Sequence, residues 1–393
     1  MAIEQLHASE SVTEGHPDKL CDIVAASILD EAIIASEPFG VWPHVAMEVT
    51  AKGGPHGGTL LLACEMKLVE GVNLDYANIA RGVIRRLGYT DPSYCFFDGM
   101  EELIVRVTEQ SEDIDRGVSQ KLTGAGDQGI MWGAAFAENE RLMPTTLVLA
   151  HELTDAYTDA FHSQKFPWLR PDGKSQIILL YENGKPKKVL SVVMAASHSS
   201  DVNHGQVEED IFRHIIVPVL DARGFGISRD QVIIDGAGSW TDFGPRADAG
   251  TTNRKIQVDT YGTIVQNGGG GLCGKDPTKA DLFGAIGARH LAKTIVVHGL
   301  ATQISINVAY AIGRPKPLMQ KVHPAGTTSI APIEQLQTIV DAADLSADGI
   351  INDLNLFQPI YARAAVGGFF GREIFPWEQI NRENNGYRGT RSV

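Results

Sequence analysis

Positive charge is in the minority in this chain. Its 34 lysines and arginines face 48 aspartates and glutamates, for a formal net charge of −14. That balance argues against non-specific binding to nucleic acid or to an anionic membrane surface. Cysteine is scarce. The four present, Cys21, Cys64, Cys95 and Cys273, never fall in CxxC spacing. Buried thiols in a reducing cytoplasm are the expectation. No apolar run reaches the ~18 residues of a membrane span. The stretch from Met1 to Glu14 is polar and acidic rather than a secretory leader, which also points to the cytoplasm. A standard P-loop is missing, because Lys275 is followed by Asp276 rather than by Ser or Thr.

What is present is ample apolar material. With 393 residues, 43% of them hydrophobic, the chain is too long for one core, and two or three domains are expected. Apolar rhythm predicts helices over 20–34, 76–87, 143–164, 207–220 and 278–298, with a last one near 354–361. Strands are predicted over 45–49, 60–68, 101–107, 174–180, 188–196, 254–261 and 303–310. The turn Glu182-Asn183-Gly184 suits a hairpin, and Lys52 to Gly58 reads as another turn. Each third of the chain holds strands and about two helices. We expect an α/β (α+β) protein of three similar sheet-and-helix layers, divided at 1–110, 124–231 and 232–393. The polar stretch 110–123 reads as a gating loop, and the tail from Asn381 as frayed.

Because cations are few, clusters of them carry weight. Asn267 to Asp281 reads NGGGGLCGKDPTKAD. Its glycines allow close approach of backbone N–H groups, Lys275 and Lys279 supply charge for phosphate, and Asp281 can hold a metal on the same phosphates. A Gly-rich surface turn with solvent lysines fits these local residues equally well. Ahead of the first helix, His16, Asp18 and Lys19 offer a hydrogen-bond donor, a Mg²⁺ ligand and a cation, or simply helix capping by Thr13 and Asp18. Gly124 to Gly129 (GAGDQG) places Asp127 in a tight turn. Asp172 and Lys174 stand at a strand start. On a regular strand Arg254 and Lys255 would point to opposite faces, so a bend or a site between subunits is required for both to serve one ligand. His198, His204 and His214 with Asp201 match no compact metal spacing and read as satisfied polar histidines.

Taken together, SESVTEGHPDK (Ser9–Lys19), GAGDQG, RPDGKSQ (Arg170–Gln176), DAGTTNRKIQVDTYG (Asp248–Gly262), GGGGLCGKDPTKAD and the C-terminal FGREIFPWE run resemble the S-adenosylmethionine synthetase family. The resemblance runs in order along nearly the whole chain. It implies three domains about a pseudo-threefold axis and a homodimer or homotetramer with active sites between subunits. The implied substrates are ATP and L-methionine, with Mg²⁺ (two per site) and K⁺ as cofactors. By matching motif positions, His16 stands near the ribose 5′-oxygen, and Asp18 and Asp281 are Mg²⁺ ligands. Lys174, Arg254, Lys255, Lys275 and Lys279 bind phosphate. Asp127, Asp172 and Asp248 orient substrate, Trp240 stacks on adenine, Glu65 and Gln110 bind methionine beside Asp248 and Lys279, and Glu48 is linked to K⁺. This chain departs from the family pattern at Cys64, where glycine is usual before the methionine-binding Glu65, and at Phe243, which also replaces a glycine. The alternative readings are a divergent relative with an altered second substrate or with mainly tripolyphosphate-hydrolysing activity, and an inactive paralogue that partners an active subunit.

Overall fold

The computed structural model describes residues 3–55, 57–100, 102–109 and 124–380. The chain runs β1 (Glu4–Val12), α1 (Pro17–Ser36), β2 (His44–Gly54), β3 (Gly57–Lys67), α2 (Tyr76–Arg86), β4 (Glu102–Thr108), β5 (Gly129–Phe136), α3 (Thr145–His162), β6 (Leu169–Glu182) and β7 (Lys185–His198). There follow α4 (His204–Ile211), a π-helical stretch (Phe212–Ile216), α5 (Val217–Ala222), β8 (Val232–Ile234), α6 (Gly244–Ala247), β9 (Gly250–Thr251) and α7 (Ile256–Asp259). The last part holds α8 (Ala280–Val297), β10 (Ala301–Tyr310), β11 (Met319–Val322), β12 (Thr328–Ser329), α9 (Ile333–Ala342), α10 (Ala347–Asp353) and α11 (Tyr361–Ala365). None of the described helices is long and apolar enough to cross a membrane.

The strands make three four-stranded sheets, ordered β1-β6-β7-β8, β4-β3-β2-β9, and β5 with β10, β11 and β12. These sheets do not follow the linear division at 1–110, 124–231 and 232–393. β1 pairs with β6, β9 pairs with β2, and β5 pairs with β10, so each sheet takes a strand from another third. Each sheet has a helical cover, in keeping with the expected three-layered architecture. Leu149, Leu153 and Tyr157 of α3 and Val207 and Ile211 of α4 form one apolar cluster with β6 and β7. α1 and α8 share a second cluster with the other two sheets.

Local sequence explains most of these elements. β2 alternates strictly, with Val45, Met47, Val49 and Ala51 inward and Ala46, Glu48 and Thr50 outward. The β6–β7 hairpin turns on Asn183 and Gly184, both at positive φ as such a turn requires. α2 buries one face and is capped by Asp75, which accepts the Asn78 N–H at 3.0 Å.

Two expected elements are corrected. Residues 254–261 form no strand. The backbone turns and enters α7, because Val258, Asp259 and Thr260 are buried in succession, which a one-faced strand cannot do. Residues 354–360 are not a helix but the link between α10 and α11, which opens at Tyr361. β1 and β5 were not expected. β1 is mostly polar, and its partner β6 lies far along the chain. The 110–123 loop and the tail from 381 lie outside the described residues.

Candidate active site

Pro17 opens α1, and His16 is its N-cap rather than Thr13 or Asp18. The Asp18 backbone N–H donates to His16 Nδ1 at 3.1 Å. Accepting on Nδ1 leaves the ring proton on Nε2. Burial, with the Lys174 and Lys255 ammonium groups nearby, lowers the His16 pKa to about 3. The ring is therefore a neutral Nε2–H donor at physiological pH.

Two residues on, the Asp18 carboxylate is fully buried and saturated with donors. Oδ1 accepts the Thr251 N–H at 2.9 Å and faces Arg254 Nε at 3.0 Å, while Oδ2 accepts Lys255 Nζ at 2.8 Å. Burial pushes this carboxyl up, but the Lys255 ammonium and the Thr251 N–H outweigh it and hold the pKa below its ordinary value. β9 delivers Thr251 by pressing on the start of α1. A Cβ on Gly250 would lie 2.1 Å from the Pro17 carbonyl oxygen, so glycine is required there. The turn after β9 also answers the two-faced strand problem: it sends Arg254 and Lys255 to one carboxylate within a single chain. Lys19 is not part of this cradle. It is buried between Asp22 (3.0 Å) and Asp259 (2.6 Å) and ties α1 to α7.

Asp172 and Lys174 approach from β6, where Lys174 pairs with Val12 of β1. Asp172 Oδ2 accepts the Gly244 N–H at 2.9 Å, while its buried Oδ1 has no partner among the described residues. Burial raises the Asp172 pKa to about 7. Asp248 is exposed at the end of α6. Trp240 is half-buried, and its backbone is clamped by His198, which donates its N–H to the Trp240 carbonyl at 3.0 Å. Phe243 sits in an aromatic group with Tyr89 and Tyr94 and lines a cavity of about 460 Å³ with His198, Arg170 and Arg246.

A second group gathers at the other end of β2. Asp276 organises it: Val45 N–H donates to Oδ2, and Thr278 N–H and Oγ1 donate to Oδ1. The loop is thereby fixed on β2, where Lys275 pairs with Ala46. Lys275 Nζ lies 2.5 Å from Asp281 Oδ2, in the first turn of α8. A Cβ on Gly270 would lie 2.2 Å from Asp281 Oδ1, so this glycine makes room for the carboxylate. Lys279 caps α8, 3.7 Å from Asp276. Asp127 is exposed, in a loop held by the Gly126 N–H on the Thr278 carbonyl at 3.2 Å. Glu65 of β3 is exposed opposite Ala46, and Glu48 accepts the Thr252 hydroxyl. Cys64 points the other way, into the core, so this departure leaves the Glu65 face unchanged. Gln110 lies outside the described residues.

The candidate residues thus form two groups. Thr50 pairs with Thr251, the donor to Asp18, while Ala46 pairs with Lys275. Four residues of one strand separate these contacts, about 13 Å. Both face outward on the β2 sheet. Sequence reasoning missed the Thr251 N–H and the organising role of Asp276. Asp276 lies inside the quoted motif, whereas no sequence signal marks a backbone donor.

The histidines did not turn out as expected. His198 and His204 come together with Asp235, not with Asp201 or His214, and the Nδ1 atoms of both lack a partner among the described residues. His214 packs on the Phe166 ring instead.

Comparison with known proteins covers the same ground from end to end. Residues 4–112, 122–240 and 243–379 match the N-terminal, central and C-terminal domain models of S-adenosylmethionine synthetase. The chain is 40% identical over 389 residues to the S-adenosylmethionine synthase of Nitratiruptor sp., covering 97% of each chain. It is 40% identical over 387 residues to that of Brachyspira hyodysenteriae, covering 95% of each. With that of Clostridium tetani it shares 36% over 394 residues, 97% of this chain and 98% of the relative. The chain belongs to the S-adenosylmethionine synthetase family.

Proposed function

We propose that this protein is an enzyme that transfers the adenosyl group of ATP to the sulfur of L-methionine and then hydrolyses the bound tripolyphosphate to phosphate and pyrophosphate. The observation that carries this reading is the cradle at Asp18, where Arg254 and Lys255 converge beside His16 and Lys174. A thioether sulfur is a neutral nucleophile and needs no general base. A sulfur–C5′ bond forms while the C5′–O bond breaks, and its electron pair leaves on the triphosphate. The barrier lies in alignment and in the charge delivered to that leaving group, which oriented binding and fixed cations lower.

The chain's own groups divide the work. His16 Nε2–H donates to the departing 5′-oxygen. Arg254 and Lys255, both partly exposed, turn from Asp18 to phosphate oxygens, joined by Lys174. Trp240 stacks on adenine, and Asp172 and Asp248 orient the nucleoside. Lys275, Lys279 and Asp127, with Glu65 and Gln110 for methionine, make up the second half. The two halves stand about 13 Å apart along β2, and the family resemblance implies that a complete site takes one half from each of two copies. A homodimer is then the minimum and a homotetramer the larger assembly.

The carboxylates fit hard cations. Asp18 and Asp281 offer oxygen ligands beside the phosphate-binding cations, and Glu48 offers an exposed oxygen for K⁺. Two Mg²⁺ per site, when bound, neutralise charge on the phosphate oxygens. A reducing cytoplasm is the proposed location, consistent with four free cysteines.

The test is incubation of the purified chain with ATP, L-methionine, Mg²⁺ and K⁺, with mass spectrometry of the products. S-adenosylmethionine with phosphate and pyrophosphate is expected. Phosphate release without a sulfonium product would replace the reading with that of a polyphosphate hydrolase. No product from folded protein would favour an inactive partner subunit.

A further inference from the structure

Behind Trp240 lies a cluster that adenosyl transfer does not use. His198 at the end of β7, His204 at the start of α4 and Asp235 just after β8 bring donor atoms within 4.8 Å of one another. His198 Nδ1, His204 Nδ1 and Asp235 Oδ2 are all buried, and none has a hydrogen-bond partner among the described residues. Leaving a buried polar atom unpaired is unfavourable. Three such atoms from three elements, gathered in one place, indicate a ligand rather than a packing accident.

Two further features support this. Asp235 holds φ at +45°, a region that non-glycine residues rarely occupy. It is pinned there by its N–H to the Met194 carbonyl at 3.0 Å and by the Ala196 N–H on its Oδ1 at 2.8 Å, which leaves Oδ2 without a partner among the described residues. On the far side of His204, Nε2 faces Glu208 Oε1 at 3.9 Å, and Arg229 donates to that carboxylate at 2.7 Å. Metal-binding histidines are commonly backed by a carboxylate in this way, and Glu208 stands on that side of the ring, although 3.9 Å is longer than a hydrogen bond.

We propose that His198, His204 and Asp235 bind a divalent transition-metal ion of the zinc class. Two imidazoles and one carboxylate suit zinc, cobalt or nickel rather than magnesium, which takes oxygen ligands. Three protein ligands leave a fourth position open. Donors around a tetrahedral zinc stand about 3.4 Å apart, so side-chain rotation must draw these three inward. His198 changes most. In the structure its Nε2 accepts the Trp240 N–H at 3.3 Å. Metal on Nδ1 moves the ring proton to Nε2, where it opposes that N–H, and the Trp240 backbone must shift. The site therefore reports on the aromatic platform assigned to adenine, although the metal assignment itself does not depend on that role.

The experiment is a titration of chelator-stripped, full-length protein with Co²⁺ in excess Mg²⁺, read by visible absorption. We expect intense four-coordinate bands that saturate at one equivalent per chain and are displaced by Zn²⁺. They should vanish in His204→Gln and in Asp235→Asn and persist in Asp281→Asn. Both site variants keep a polar side chain, and circular dichroism checks that they fold. Tryptophan fluorescence should change with the same midpoint, and this change should shrink in Trp240→Phe. Absence of a stoichiometric band in the unmodified protein would overturn the proposal, as would full bands in folded His204→Gln. If the site variants do not fold, the unmodified titration with its Zn²⁺ displacement still decides.

Discussion

Asp18 and Glu378 are both buried carboxylates, and each is held by two cations, yet the two regions do different things. Glu378 takes Arg289 on both oxygens, at 2.9 and 2.8 Å, and Lys293 at 3.0 Å. Asp18 takes Arg254 at 3.0 Å and Lys255 at 2.8 Å. In both, burial pushes the carboxyl pKa up, and it is outweighed by Lys255 with the Thr251 N–H at Asp18 and by Arg289 and Lys293 at Glu378, so that each carboxyl lies below its ordinary value. The difference lies in the partners. The Arg289 and Lys293 side chains are 0% and 4% exposed, while those of Arg254 and Lys255 are 48% and 20% exposed. A cation sealed in the core can serve only the protein groups packed around it, here Glu378 and nearby backbone carbonyls. One at the surface can turn to an anionic ligand. Accessibility of the cations, not the ion pair itself, separates a structural network from the cradle proposed to bind phosphate.

The strongest way to break this comparison is at Glu378. Glu378→Ala leaves Arg289 and Lys293 buried without a counter-charge, and removing one member of a buried pair costs about 3–5 kcal/mol. Denaturant unfolding should show that loss, while kcat/KM per folded molecule stays near normal. Unchanged stability would mean the network contributes nothing. The complementary change is Arg254→Ala. Losing one preorganised donor costs about 10²–10³-fold in rate, or about 2.7–4 kcal/mol of barrier. Steady-state kinetics should show it with little change in melting temperature, because the guanidinium is half in solvent and Lys255 still neutralises Asp18. A large stability loss at near-normal rate would make Arg254 a second Arg289.

Much of this was readable in the sequence where the signal is local. Strict alternation in β2, the Asn183-Gly184 turn and the apolar runs of α1 and α8 each follow from neighbours in the chain. Most of the candidate residues were picked out by type and motif. What stayed hidden is long-range. That Thr251 donates to Asp18 depends on β9 pairing with β2, which no local pattern encodes. The 254–261 stretch alternates like a strand, but Asp259 is drawn inward by Lys19, and that tertiary pair overrides the pattern. Asp235, which joins His198 and His204, escaped for the same reason: the three elements meet only in three dimensions, so spacing along the chain paired the histidines with Asp201 and His214 instead.

Asp172 sharpens the comparison from the opposite side, since it is buried like Asp18 but among the described residues accepts only the Gly244 N–H. Without an ion pair, burial dominates and raises its pKa from 3.8 to about 7. An acid whose pKa is higher folded than unfolded binds its proton more tightly when folded. Its contribution to stability is complete below pH 3.8 and declines as pH rises toward about 7. Across that window the slope is at most about 1.4 kcal/mol per pH unit. Asp172→Asn removes the titration, so the variant's unfolding free energy should gain on that of the unmodified protein between pH 4 and 7, measured without ligand. Asp18 and Glu378 have the opposite sign: their lowered pKa values add stability at neutral pH that is lost in acid. If Asp172→Asn leaves the pH profile unchanged, the orphaned Oδ1 already has a compensating partner in solution. The contrast between carboxylates held by cations and one held by an amide would then fail at its third member.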